Sequence, residues 1–152
     1  MSKQEQKVKD GVAQFLEDGE EVLAAIIARP RGWTQSHAGS LHLGAHQQGE
    51  SRSAADEAGF PLASPMALVV TQRRLLSVSI GSPIGLGKGG EVKEVVGAVG
   101  LEEVDSIDFK RLLAGKVVKL QIRGSDEIKL EVNAAADVKG LIAAFDGSRA
   151  TA

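Results

Sequence analysis

The sequence predicts a mainly β domain, a bent antiparallel barrel or sandwich capped by a C-terminal α-helix, with a short N-terminal helix. The clearest observation is the alternation of Val118, Leu120 and Ile122 with polar residues, which is repeated over 128–132 after a turn at 124–126. Two period-two runs joined by a turn indicate an antiparallel hairpin with one dry and one wet face. Consecutive strand-like runs without intervening crossover helices disfavour a doubly wound parallel sheet.

The first two elements are a helix and a strand. Val8 and Val12, followed by Phe15 and Leu16, stand at helical spacing opposite a lysine-rich face, which predicts a short amphipathic helix ending near Asp18. The aliphatic run Glu21–Ala28 then predicts the first strand, closed by the turn residues 29–32.

A second hairpin is the next element. The apolar runs Ala67–Thr71 and Leu75–Ile80 are joined by the polar residues 72–74, as in two strands connected by a tight turn. A glycine-rich connection over 81–90 follows, and the valines of 92–99 have ambiguous spacing. Apolar residues at 104, 107 and 109 lead into the last hairpin.

The closing element is an amphipathic helix. Val138, Leu141 and Phe145 recur at intervals of three, four and seven, Asn133 is the predicted N-cap, and Gly147 is the predicted stop. The chain therefore divides into a helix at 1–16, a compact domain at 17–147 and a tail at 148–152. Residues 32–65 lack sustained periodicity and predict a long insertion within the domain, in which Ala54–Ala58 could form a short helix.

Composition excludes several classes of protein. The 152 residues carry a formal net charge of -2, which argues against a nucleic-acid-binding surface, and they include no cysteine, which excludes disulfide scaffolds and cysteine-ligated metals. The longest apolar run is far shorter than a membrane span needs. No secretory signal is recognisable, so we expect a soluble, cytoplasmic protein.

No residue pattern predicts catalysis. The spacing Gly85-x-Gly87-x-x-Gly90 matches a dinucleotide fingerprint, but the following segment is interrupted by glycines too early to form the required helix. The histidines, His37, His42 and His46, share one loop but match no metal motif, so solvated side chains are favoured over a metal site. The sequence thus predicts a protein that is not an enzyme and has no cofactor.

Five residues are candidate ligand contacts. Trp33 could anchor a partner, although burial at the end of the barrel is the favoured alternative. Arg73 and its neighbour Arg74 could grip a phosphate or carboxylate, but charged turns are usually solvated. The candidate set is Arg29, Arg31, Trp33, Arg73 and Lys88.

The element order and several motifs resemble bacterial pleckstrin-homology-like domains, akin to the GRAM type. The resemblance is carried by the opening Glu17–Leu23, the hairpin Leu68–Leu76 with its Thr-x-Arg-Arg-Leu-Leu motif, the paired strands 117–123 and 127–132, and the closing helix. The family usually has aspartate where this chain has Gln72. The resemblance implies a bent antiparallel barrel capped by a helix.

Function follows less directly from this resemblance, because the fold serves lipid, peptide and protein binding. Lipid-binding members use lysines and arginines after the first strand, whereas this chain has Arg29 and Arg31 there and no lysine between Asp10 and Gly87. The leading hypothesis is therefore a non-enzymatic module that binds a protein or peptide, through a strand edge or the loop around Trp33. Weak binding of an anionic lipid or small ligand by the loop cations is the alternative, and peripheral membrane contact is less favoured.

Overall fold

The computed structural model describes residues 3–30, 53–63, 65–81, 91–113 and 115–151. One antiparallel sheet of seven strands dominates it, with strand order β4-β3-β2-β1-β7-β6-β5. The strands are β1 Val22–Pro30, β2 Met66–Thr71, β3 Arg74–Ile80, β4 Val92–Gly100, β5 Val104–Leu112, β6 Gly115–Ile122 and β7 Ile128–Val132. Helix α1 spans Lys3–Val12 and helix α2 spans Val138–Thr151, with 3-10 turns at Ala13–Phe15 and Leu101–Glu103.

The sheet bends so that its two halves share one core. Leu68 of β2, Leu120 of β6 and Leu130 of β7 belong to the same buried cluster, together with Leu141 and Phe145 of α2. Strands β1–β4 and β5–β7 therefore face each other across the core, and α2 contacts β1, β2 and β5. The predicted fold class and both predicted hairpins are confirmed.

Strand β2 is buried on both faces. Its alternate residues contribute to the core inside the bend and to a second cluster that includes Val8 and Val12 of α1. A continuous apolar run such as Met66–Val70 is typical of a strand covered on both sides. Helix α1 covers the outer face closely, because a Cβ added at Gly11 would lie 2.8 Å from Cγ2 of Val92. Phe15, predicted on the apolar face, is 38% exposed instead.

The insertion predicted at 32–65 includes a packed segment. Residues 53–57 are helical, Gly59 reverses the chain with φ of 71°, and Phe60 is completely buried in the core. A Cβ at Gly97 would lie 3.0 Å from the carbonyl oxygen of Pro61, so this segment lies directly against β4. Residues 53–62 of the predicted insertion are therefore packed against the domain, and the short helix expected near Ala54–Ala58 is present at 53–57.

The ends of α2 differ from the prediction. The backbone N–H of Gly140 donates to Oδ1 of Asp137 at 2.9 Å, which makes Asp137 the N-cap. Asn133 accepts from the N–H of Ala135 at 3.1 Å and stabilises a turn before the helix. The helix continues through Gly147 to Thr151, so Gly147 is not its stop and residues 148–151 are helical.

Candidate functional site

The Thr-x-Arg-Arg-Leu-Leu motif forms an ion pair within the chain. Arg74, the first residue of β3, donates from Nε to Oε2 of Glu20 at 2.9 Å and from Nη2 to Oε1 at 2.6 Å. The Glu20 side chain is inaccessible to solvent, whereas that of Arg74 is 24% exposed. This bidentate geometry is the strongest form of an arginine–carboxylate contact. Arg74 therefore binds a carboxylate, but that of its own chain.

Two neighbouring side chains complete this arrangement, which we call the clamp and define as Glu20, Thr71, Gln72 and Arg74. The Thr71 hydroxyl donates to Oε2 of Glu20 at 2.7 Å. The Gln72 amide donates to the carbonyl oxygen of Gly19 at 2.6 Å and accepts from the N–H of Glu21 at 2.8 Å. An aspartate at position 72 could accept but not donate. Gln72 thus forms a second hydrogen bond that an aspartate could not form.

The clamp is neutralised internally. The hydrogen bond from Arg74 lowers the pKa of Glu20 from 4.5 to about 2, against the raising effect of burial and with help from the N–H of Glu17 and the hydroxyl of Thr71. The hydrogen bond to Glu20 in turn raises the pKa of Arg74. Glu20 and Arg74 both stay charged near neutral pH, and each compensates the charge of the other. The clamp therefore connects the residues before β1 to the β2–β3 turn and leaves no charge for a ligand.

Arg73 differs from its neighbour. Its Nη1 lies 3.4 Å from Oε2 of Glu17, and the two side chains are 47% and 62% exposed. Exposed pairs of this kind contribute little to stability. The prediction of a solvated turn therefore holds for Arg73 and is wrong for Arg74.

Arg29 lies at the other end of β1, beside an acidic residue. It is half-buried and stands directly opposite Glu131 of β7. Burial lowers the pKa of Arg29, and the charge of Glu131 counteracts that effect. Val22 pairs with Thr71 beside the turn that carries Arg73, whereas Arg29 is seven residues, about 23 Å, further along β1. The two do not form one site.

The remaining candidates lie outside the described residues. These are Arg31, Trp33, Lys88, the three histidines and the glycine fingerprint at 85–90. Within the described ranges, no group of three or more His, Asp or Glu side chains could hold a metal ion. No helix there is long and apolar enough to cross a membrane.

The structure adds a candidate binding surface, the outer edge of β5, which pairs with no other strand among the described residues. This nine-residue strand ends the sheet, and most of its side chains are exposed. The carbonyl oxygen of Asp105 accepts from Nη1 of Arg149 at 3.0 Å, and the N–H of Phe109 donates to Oδ1 of Asp108 at 2.8 Å. Because alternate residues of an edge strand direct their backbone groups outward, Arg111 has the same orientation as Phe109.

A second feature lies at the end of the same strand. We call Lys110–Leu113 the hairpin tip. Leu112 is 38% exposed and Leu113 is completely exposed, so two large apolar side chains are adjacent on the surface. From the sequence, residues 104–109 were interpreted only as leading into the last hairpin, so both β5 and the tip were missed. The signal was present, because two consecutive leucines after two cations break the alternation of β5 and β6.

Comparisons with known proteins find similarity to solved structures but not to a protein family or a curated protein. No protein-family model matches the chain, and no curated protein matches it. The fold is similar to a DUF1696 family protein with a pleckstrin-homology domain from Shewanella loihica, with 15% identity, a TM-score of 0.47 and coverage of 93% of each chain. It is also similar to a pleckstrin homology domain from Shewanella amazonensis, with 14% identity, a TM-score of 0.48 and coverage of 93% of this chain and 95% of that one.

Proposed function

We propose that this chain is a non-enzymatic interaction module that binds a protein or peptide, and that an extended segment of the partner adds to the sheet along β5. The observation that carries this proposal is the position of β5 at the end of the sheet, with its backbone directed outward at Phe109 and Arg111. Strand addition obtains affinity from backbone hydrogen bonds and specificity from neighbouring side chains.

The present hydrogen bonds of the edge are compatible with such binding. The N–H of Phe109 is occupied by the exposed carboxylate of Asp108, which a carbonyl oxygen of the partner can replace. Arg149 occupies the carbonyl oxygen of Asp105 at the start of the strand. The partner segment therefore lies along the second half of β5, from Phe109 towards the hairpin tip. The hydrogen bond from the N–H of Phe109 to the Asp108 side chain also protects the strand edge from pairing with unrelated chains.

The electrostatics support a binding role over a catalytic one. Among the described residues, Glu20 is the carboxyl group with a strongly shifted pKa, and its oxygens accept hydrogen bonds from Arg74, Thr71 and the N–H of Glu17. Neither Arg29 nor Arg73 supports the alternative of an anionic ligand, because each lies beside a carboxylate and they are far apart.

Peptides selected from a random displayed library against the purified chain test the proposal. Arg111→Pro removes one outward N–H, which edge strands tolerate, and Arg111→Ala loses the same side chain but keeps that N–H. We expect selected peptides to bind Arg111→Ala at least about tenfold more tightly than Arg111→Pro, measured by calorimetry. Circular dichroism checks that both variants are folded.

Two results would contradict the proposal. One is that no peptide is enriched over an unrelated control protein. The other is that enriched peptides bind the proline and alanine variants equally, which would place the contact away from the edge of β5.

A further inference from the structure

The hairpin tip presents apolar and cationic groups together. Leu113 is completely exposed and Leu112 is 38% exposed, and both follow the exposed cations Lys110 and Arg111. Neither cation forms an ion pair with any part of the chain that the structure describes. Exposing two adjacent leucines costs hydration free energy that a partner would recover on burying them.

The base of the tip is held firmly. Gly115 has φ of 104°, and a Cβ there would lie 2.7 Å from the carbonyl oxygen of Val132. Lys116 donates from Nζ to the carbonyl oxygen of Ala136 at 3.0 Å and lies 5.7 Å from the centre of the Phe109 ring. These contacts fix the hairpin against the turn that precedes α2, so the tip projects from a supported base.

The cations of the tip differ from the other arginines of the sheet. Arg29 stands opposite Glu131, Arg74 binds Glu20, and Arg123 lies 3.9 Å from Asp105. Glu131 is separated from Lys110 by Val117 in the row that crosses β7, β6 and β5. The positive charge of Lys110 and Arg111 is therefore available for a carboxylate from outside the chain.

The charge balance favours a protein segment over a membrane. Attraction to anionic lipid typically uses about four to eight clustered cations, whereas the tip has Lys110 and Arg111, with Lys116 engaged at its base. The whole chain has a formal net charge of -2, so long-range attraction to an anionic bilayer is weak. Short-range pairing with one or two carboxylates needs no such excess.

We infer that the segment bound along β5 is an acidic, apolar peptide, whose carboxylates pair with Lys110 and Arg111 and whose apolar side chains cover Leu112 and Leu113. This inference rests on the proposed function, since it names the chemistry of the partner at the end of the same edge. A peptide backbone that pairs with β5 at Phe109 and continues along the strand reaches the hairpin tip.

Charge reversal tests the inference with the same displayed library. We expect the enriched peptides to contain more aspartate and glutamate than the unselected library, and the double variant Lys110→Glu/Arg111→Glu to weaken their binding about tenfold or more. Synthetic peptides with lysine in place of those acids should regain binding to the double variant. Lys93→Glu, an exposed cation on the other end strand, is the matched control and should change binding less than about twofold.

Leu113→Ser tests the apolar half of the contact. It should also weaken binding about tenfold, and Leu23→Ser, which changes an exposed leucine on β1, should not. Leu113 contacts solvent, so its replacement leaves the fold intact, which circular dichroism and thermal unfolding verify.

The outcomes separate the two proposals. Peptides that depend on the edge of β5 but show no acidic enrichment and no response to charge reversal overturn this inference and leave the proposed function standing. Absence of any edge-dependent peptide overturns both. A flotation arm uses phosphatidylcholine vesicles with and without phosphatidylserine. Binding that needs phosphatidylserine and is lost with Leu113→Ser would make the tip a membrane contact and overturn the inference.

Discussion

Replacing Arg74 with alanine removes the cation from the clamp and leaves the Glu20 carboxylate buried. The side chain of Glu20 is inaccessible, and its hydrogen bonds come from Arg74, Thr71 and the N–H of Glu17. An unpaired buried charge is strongly destabilising, because the lost partner no longer offsets desolvation. We therefore expect the free energy of unfolding to fall, even though Arg74 lies at a turn.

The pKa of Glu20 sets the magnitude. The clamp lowers this pKa from 4.5 to about 2. A difference of about 2.5 pKa units, at about 1.4 kcal/mol each, corresponds to about 3 kcal/mol. Arg74→Ala should lower the free energy of unfolding by roughly this amount at neutral pH, measured by urea denaturation. Arg73→Ala, in the same turn but in an exposed pair, is the matched control and should cost about 0.5 kcal/mol or less.

The pH dependence gives an independent measurement. The folded-state pKa of Glu20 lies below its unfolded value, so the stabilisation is fully present above about pH 5 and is lost as pH falls towards 2. The Glu20→Gln variant lacks this titration. The stability advantage of the unmodified chain over Glu20→Gln should therefore shrink by about 3 kcal/mol between about pH 6 and pH 2.

Two observations would refute this reasoning. Arg74→Ala and Arg73→Ala could prove equally mild, which would show that the pair is solvated in solution. Alternatively, the stability difference between the unmodified chain and Glu20→Gln could stay constant with pH, which would show that the pKa of Glu20 is not lowered by folding.

Two further substitutions test the packing. Gly115→Ala should lower the free energy of unfolding by about 2 kcal/mol or more, because its φ of 104° and the nearby carbonyl oxygen of Val132 both oppose a Cβ; Gly124→Ala has φ of 78° and open space, so it should cost about 1 kcal/mol. Phe60→Ala should cost about 3 to 5 kcal/mol in chemical denaturation, since the ring is completely buried in the core, while Phe15→Ala should cost about 1 kcal/mol or less. Equal effects within either pair would contradict the packing described above.

The fold class and five of the strands, β1–β3, β6 and β7, could be predicted because their signals are local. The alternation over 118–122 and 128–132 indicates a sheet with a single buried face, and the apolar run at 67–70 indicates a strand. Segments without such a period were predicted less accurately. The residues 53–62 lack periodicity because their packing depends on a few side chains, chiefly Phe60, that meet the core at irregular intervals.

The helix ends show the same distinction. Asn133 and Gly147 have the residue types that cap and stop helices, yet Asp137 caps α2 and the helix continues to Thr151. Capping preference is weak compared with the tertiary contacts of the last turn, where Arg149 binds the carbonyl oxygen of Asp105 and stacks 5.2 Å from the centre of the Phe145 ring.

Local sequence patterns thus account for β1–β3, β6, β7, the two predicted hairpins and the closing helix of this protein, since each depends on neighbours within a few residues. Which charged side chains pair with each other depended on contacts between segments that are distant in the sequence. Glu20 and Arg74 are 54 residues apart, and only the pairing of β1 with β2 brings them together. The same bending and pairing left β5 at the end of the sheet with its cations and leucines exposed. Electrostatic interactions act through space, so the sequence pattern at Thr71–Arg74 did not show that Arg74 pairs with Glu20.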